Sequence, residues 1–236
     1  TPAAGEANEA AVRAALAAPV VADSSIRLAA GKTIRFDQMP AIGKPGVVAS
    51  AQRTGLLEIE RLEFANGVKV LMWPVREEPG RVAVKVRFGG GYRMFGPKDA
   101  PYITLGEMAL VGSGVGELGQ EELDRIATGR KMGFDFEIDD GAFEFSADTR
   151  PADLADQLYL FAAKFAMPRW DANPFLRART AAQMQYEAYA TSPQGVLERD
   201  LAWLEHGEDG RFRTPTPREL DAATPQGFRE VWQPIL

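Results

Sequence analysis

The sequence predicts an α+β domain, in which helices pack on one face of a mostly antiparallel sheet. The predicted elements follow the order hairpin, strand, two helices, hairpin and then several helices, and strands grouped early with helices grouped late are typical of this class. Each hairpin is marked by a turn dipeptide, Asn66-Gly67 in the first and Asp140-Gly141 in the second. These residue types tolerate the positive φ angles of a type I′ turn.

Residues 1–53 differ from the rest of the chain. An alanine-rich stretch at 6–17 predicts a short helix, and the segment that follows is rich in proline and glycine, which is typical of an extended connector. We predict that 1–53 is a tether lying on a neighbouring domain, because its apolar residues need a surface to cover. A terminal tail without a partner is the alternative. Residues 54–236 are predicted to form the domain itself.

The strand prediction is sharpest at 82–88. Four apolar residues, Val82, Val84, Val86 and Phe88, alternate there with Lys85 and Arg87. Such alternation predicts a strand with one buried face. Three glycines follow at 89–91, but the spacing of a phosphate-binding loop is absent, so they predict a tight strand exit.

Helices are predicted at 100–112 and 120–133, and a hairpin follows at 134–145. Pro151 then begins a third helix, in which four apolar residues recur at helical spacing. These residues, Leu154, Leu158, Phe161 and Phe165, predict its core face.

The last helices are predicted from 173–190 onwards, largely from their start signals. Ser192 precedes Pro193 as an N-cap, Thr216 and Glu219 form a capping box, and Thr224-Pro225 opens the final helix.

Composition excludes several function classes. The chain holds 27 basic and 33 acidic residues, and a net charge of −6 argues against a nucleic-acid or polybasic membrane surface. No apolar run approaches the roughly 20 residues of a membrane span. There is no cysteine and only one histidine, His206, so a zinc site, which prefers His and Cys ligands, is not expected on this chain.

Four stretches follow one another over 57–236: "LEFANGVKVLM" as an opening hairpin, "VAVKVRFGGGYRM" as a strand and its exit, "LGEMALVGSG" as a helix running into a glycine turn, and "SPQGVLERDL" near the end. In this order they resemble one half-domain of the pitrilysin/insulysin family, in which the third stretch is the motif helix and the fourth follows the later ligand helix. These are the inverted zincins with an HxxEH motif, and they include mitochondrial processing peptidase.

The resemblance places the first motif histidine at Ile103, the glutamate at Gly106 and the second histidine at Glu107. The third metal ligand falls near Met184 or Gln185. Two imidazoles four residues apart on a helix hold the metal, and a carboxylate beside them activates its water. Ile103 and Gly106 provide neither group, and Glu107 has no partner ligand. These positions are therefore interpreted as a degenerate metal site with no catalytic residue, and Ile103 and Met184 are also candidate core residues.

The resemblance implies a non-catalytic role for this chain. Family members commonly join a catalytic half to a degenerate half, and the two enclose a chamber for peptides or unfolded proteins. This chain is similar to the first domain of the degenerate half, whose partner would be a catalytic half-domain, of the same protein or of a partner subunit, carrying the zinc. The alternative is a scaffold of the same fold without proteolysis. An independent enzyme using the carboxylates Asp139, Asp140 or Glu144 is disfavoured, because adjacent turn acids are usually solvated.

Three residues are candidates to face a peptide: Tyr186, Tyr189 and Arg93. His206 is interpreted as a residue of a helix C-terminal turn, where a cation favours the helix dipole.

The family kinship favours the periplasm or secretion from a bacterium. It also implies that the last helix is followed by a strand that this sequence lacks, so an open sheet edge is expected. We expect the 20–48 segment or a second copy of the chain to cover that edge.

Overall fold

The computed structural model describes residues 38–55 and 57–236. The predicted helix at 6–17 and the candidate edge-covering strands between 20 and 37 lie outside these residues. Two antiparallel sheets are present in the described part. The first consists of β1 (Val48–Arg53), β2 (Glu60–Phe64) and β3 (Lys69–Met72) in that order. The second consists of β4 (Val82–Phe88), β5 (Asp135–Ile138) and β6 (Phe143–Thr149) in the order β4–β6–β5.

Seven α-helices lie in the described part of the chain. Their bounds are α1 (Ala100–Val111), α2 (Gln120–Ala127), α3 (Leu154–Ala166), α4 (Ala172–Tyr189), α5 (Pro193–Glu205), α6 (Pro217–Ala222) and α7 (Pro225–Trp232). Short 3₁₀ turns occur at Gly91–Met94, Pro151–Asp153 and Gly210–Phe212. The α+β class and the antiparallel pairing are confirmed.

The N-caps explain where the later helices begin. Ser192 accepts a hydrogen bond from the N–H of Gly195, and Thr224 accepts one from that of Gly227. Thr216 and Glu219 form the predicted capping box of α6. Because each cap satisfies N–H groups that the helix itself leaves unpaired, a short polar signal in the sequence determines each start.

The second sheet builds the main core. β4 alternates half-buried and exposed residues as predicted, and its full length pairs with β6, from Val82 opposite Thr149 to Phe88 opposite Phe143. The β5–β6 hairpin turns at the predicted Asp140-Gly141. The expected type I′ turns are wrong, because neither of these residues has a positive φ and in the first hairpin only Gly67 has one (φ 87°). Phe143 and Phe145 are almost completely buried beneath the helices, so the aromatic residues of one strand anchor sheet to helices.

The first sheet differs from the prediction in two ways. Strand β1 lies inside the range predicted to be an extended tether, and it pairs with β2 along its length. No strand of this sheet pairs with the second sheet among the residues described. Several of its large apolar side chains are exposed, among them Val48, Leu71 and Met72.

The buried face of α3 contains polar residues that the apolar pattern did not indicate. Leu158, predicted for the core, is 47% exposed, whereas Gln157 and Lys164 are buried. Gln157 donates to the carbonyl of Gly133 and accepts from its N–H. Phe161 is buried and Leu154 and Phe165 are half-buried, as predicted. Apolar periodicity missed Gln157 and Lys164, because hydrogen-bonded polar side chains are also stable inside a protein.

The Lys164 side chain caps the C-terminal end of α1. Its ammonium group donates to the carbonyls of Leu110 (3.0 Å) and Ser113 (2.5 Å) and lies 4.2 Å from the centre of the Phe134 ring. These carbonyls lie at the negative end of the α1 dipole, where a cation is favoured. Burial lowers the pKa of Lys164 to about 8.

We expect Lys164→Met to lower the free energy of unfolding by about 2 kcal/mol at pH 7, because hydrogen bonds to charged groups contribute roughly 1.5–3 kcal/mol. Denaturant unfolding measures this, with the exposed Lys98→Met as control. The native pKa lies below the ordinary 10.5. Above about pH 8 the unfolded chain therefore holds a proton that the native chain lacks, so the wild type should gain stability relative to the variant as pH rises. A difference that does not change between pH 7 and 9.5 would contradict this assignment.

Candidate functional site

Helix α1 is the helix to which the resemblance assigns the motif, and it is buried along most of one side. Ile103 is 3% exposed and belongs to the main core, together with Leu105 and Ala109. The prediction of Ile103 as a core residue is confirmed. A side chain in this position packs against apolar neighbours and is shielded from solvent.

Gly106 lies directly beneath the indole ring of Trp232. A Cβ atom built on Gly106 would lie 2.2 Å from Cζ2 of this ring, which is far closer than van der Waals contact. Trp232 is completely buried, and its Nε1–H donates to the carbonyl of Tyr102 at 2.9 Å. The space beside the helix, where the motif would place its glutamate, is therefore filled by a side chain from α7.

Glu107 binds the neighbouring strand. Its carboxylate accepts a hydrogen bond from the backbone N–H of Ile138 in β5 at 3.2 Å. The residue as a whole is exposed, but the carboxylate lies against the strand. This desolvation raises the pKa of Glu107, and the hydrogen bond from Ile138 opposes the rise. A carboxylate that caps the edge of a sheet satisfies an otherwise unpaired N–H.

The predicted third-ligand positions face solvent. Met184 is 69% exposed and Gln185 is exposed, so the prediction that Met184 belongs to the core is wrong. The inward stripe of α4 instead follows a spacing of three and four residues. It consists of Phe175, Ala178, Ala182, Tyr186 and Tyr189. Because residues on a helix rotate by about 100° per position, Met184 points away from both tyrosines.

Tyr186 and Tyr189 are half-buried. A Cβ on Gly195 would lie 2.5 Å from the carbonyl oxygen of Tyr189, so the end of α4 packs closely on the start of α5. The two tyrosines thus continue the packed stripe of α4. Their proposed contact with a peptide remains a prediction.

The residues at the motif positions do not fit a zinc ion. Ile103 carries no ligand atom, Gly106 has no side chain, and Glu107 is already engaged by β5. Over residues 38–55 and 57–236, no cluster of three acidic or histidine side chains is arranged to hold a metal. Within the same part of the chain, no helix is long and apolar enough to cross a membrane.

Arg93 and His206, which are distant in sequence, line one cavity beside the β5–β6 hairpin. The ring of Phe212 stacks with both Tyr92 and His206, at centroid distances of 4.3 and 3.5 Å. The single histidine is therefore part of an aromatic stack, and this contact between distant segments carried no signal in the sequence.

The fold itself defines a class: it is the fold of a half-domain of M16-type peptidases. Two similar solved structures are the periplasmic protease PqqL from Escherichia coli (TM-score 0.70, 15% identity) and the ferredoxin protease FusC in complex with Arabidopsis ferredoxin (TM-score 0.65, 17% identity). They cover 86% and 84% of this chain, and the chain spans about a fifth of each, 22% in both cases.

A third similar structure is the peptidase M16 inactive domain from Pseudomonas fluorescens. Its TM-score is 0.59 at 19% identity, and the match covers 74% of this chain and 43% of that one. The sequence matches no family model and no curated protein. At these identities the likeness establishes the fold alone.

Proposed function

We propose that this chain is a non-catalytic domain of a zinc-dependent metalloendopeptidase. It forms part of the wall of a substrate chamber, and the zinc lies in a separate catalytic domain. The observation that carries this proposal is the packing of Trp232 on Gly106. The indole ring takes up the space that a glutamate side chain at position 106 would need. Because helix α1 uses these positions for packing, a structural role is favoured over a catalytic one.

The proposed partner is a catalytic half-domain, in the same protein or in a partner subunit. Support comes from the exposed apolar side chains of α5, because a monomeric soluble protein rarely exposes a contiguous apolar stripe. These residues are Val196, Leu197, Leu201 and Leu204. Without its partner, the chain is expected to self-associate through such surfaces. The ligand of the chamber is proposed to be a peptide or an unfolded protein.

A scaffold protein of the same fold is the second candidate. The packed helix α1 and the exposed apolar stripe of α5 are equally compatible with such a scaffold. The assembly that a scaffold belongs to would contain no HxxEH motif and would cleave no peptide. The periplasm is proposed as the compartment, supported by the similarity to the periplasmic protease PqqL.

Purified chain is expected to retain no stoichiometric zinc and to cleave no peptide. The physical reason is the absence of ligand atoms at Ile103 and Gly106. Elemental analysis after dialysis and a fluorogenic peptide assay measure the two quantities. About one zinc per chain, or cleavage that a chelator abolishes, would show that the chain has a metal site of its own.

A pull-down with an HxxEH-bearing half-domain from the same protein or genome tests the partner. We expect a stable complex whose peptidase activity exceeds that of the catalytic half alone. A complex without activity would favour the scaffold. The Leu201→Glu/Leu204→Glu double variant places two charges on α5 and should abolish the complex, whereas the exposed Met184→Glu on α4 serves as the control.

A further inference from the structure

An open cavity of about 410 Å³ lies where three segments meet: the 3₁₀ turn after β4, the β5–β6 hairpin and the chain after α5. Its volume falls within the range of small-ligand sites. Tyr92, Phe212 and His206 form a stack of rings along it. A hydrogen bond fixes the orientation of the His206 ring, because Nδ1–H donates to the carbonyl of Ala202 at 2.6 Å.

Two of the charged side chains of the cavity form a close ion pair, because Arg211 donates to Asp209 through Nε and Nη2. Nε2 of His206 faces Asp140 at 3.4 Å, and this pair is ionic when the imidazole is protonated. Arg93 forms only one hydrogen bond, to the carbonyl of Gly141 at 3.3 Å, and no ion pair within the described residues. Arg93 is therefore the arginine of the cavity that has no carboxylate partner.

A second donor is also unused. The hydroxyl of Tyr92 makes no hydrogen bond to the part of the chain that the structure describes, although its ring is fixed by the stack with Phe212. Burial raises the pKa of Tyr92, and the nearby carboxylates of Glu107 and Asp140 raise it further. The hydroxyl therefore remains protonated near neutral pH and is available to donate.

We propose that this cavity binds a carboxylate group of a peptide, with Arg93 as the paired cation and the Tyr92 hydroxyl as a further donor. A guanidinium fork matches the two oxygens of a carboxylate. One unmatched cation balances one negative charge, whereas a phosphate carries nearly two. The aromatic stack offers an apolar wall to the adjoining side chain. The peptide nature of this ligand rests on the proposed function, and the carboxylate chemistry rests on the cavity alone.

The carboxylate has two possible sources, a chain terminus or an acidic side chain. His206 is the only histidine of the chain, so its imidazole C–H signals in a proton NMR spectrum report on the cavity without any label. We expect N-acetylphenylalanine, which mimics a terminus, or N-acetylglutamate α-amide, which mimics a side chain, to shift these signals saturably at millimolar concentration. The neutral N-acetylphenylalaninamide should not. The compound that binds more tightly identifies the source, and no saturable shift with either acid, or an equal shift with the amide, would overturn the proposal.

Two variants test the assigned donors. Arg93 is exposed, so Arg93→Gln should fold normally and weaken carboxylate binding by about tenfold or more, as expected for loss of a charged hydrogen bond. Tyr92→Phe keeps the ring stack and should weaken binding by a smaller factor. The control is Arg218→Gln, an exposed arginine on α6 outside the cavity. Unchanged affinity in Arg93→Gln would overturn the assignment.

This result is independent of the test of the proposed function. Failure to bind carboxylates leaves the zinc and complex measurements unaffected. Conversely, carboxylate binding by a chain that forms no complex would leave the cavity site intact and remove only its role in a peptidase chamber.

Discussion

Gly106→Ala is expected to lower the free energy of unfolding by about 2–3 kcal/mol, which is the upper range for overpacking a core. An alanine normally stabilises a helix interior by up to ~1 kcal/mol relative to glycine. Here the added methyl would lie 2.2 Å from Cζ2 of Trp232, and the ring cannot retreat because it is fully buried and hydrogen-bonded to Tyr102. Urea unfolding followed by circular dichroism measures the change.

A double-mutant cycle isolates the contact. Trp232→Ala alone should cost about 3–5 kcal/mol, as is typical for deleting a buried tryptophan. In that background Gly106→Ala should be neutral or stabilising, because the obstacle is gone. Thr104→Ala, on the exposed side of α1, is the control and should change stability by less than about 0.5 kcal/mol. An equal cost of Gly106→Ala in both backgrounds would show that Trp232 is not what requires the glycine.

The second large effect concerns restoration of the motif. A variant carrying Ile103→His, Gly106→Glu, Glu107→His and Met184→Glu supplies the three metal ligands and the water-activating glutamate of the motif, but we expect it to bind no stoichiometric zinc. It should also be less stable by at least about 3 kcal/mol. Burial of an unpaired imidazole at position 103 costs roughly 1–3 kcal/mol, and the glutamate meets the Trp232 ring.

Elemental analysis and urea unfolding of the quadruple variant, beside each single variant, test this expectation. Met184→Glu alone should be close to neutral, because residue 184 is 69% exposed. The partners that orient metal-binding imidazoles are also missing, and their loss typically weakens metal affinity by about 10–100-fold. A stable quadruple variant with one tightly bound zinc would show that the site is dormant and that its space is not permanently occupied.

The amino-acid sequence determined the elements and their ends. Three of these signals each act within a few residues, so they can be recognised without knowledge of the fold. They are the alternation at 82–88, the turn at Asp140-Gly141 and the cap at Ser192. The interpretation of this helix as a degenerate motif came from the family resemblance, and it stays a prediction. It rests on Ile103, which carries no ligand atom, and Gly106, which carries no carboxylate.

The tertiary structure decided which surfaces these elements bury. Apolar periodicity placed Leu158 in the core, and Met184 was a candidate core residue, but both are exposed, while the hydrogen-bonded Gln157 and Lys164 are buried. The range expected to be a tether includes a strand, because β1 pairs with β2.

The occupation of the motif site by Trp232, and the meeting of Arg93 with His206 in one cavity, depend on contacts between residues more than 100 positions apart. Local patterns record the preferences of a segment for helix, strand or turn. They do not record the partner against which that segment packs, and in this protein that partner determines both why no side chain fits at Gly106 and where the cavity beside Arg93 forms.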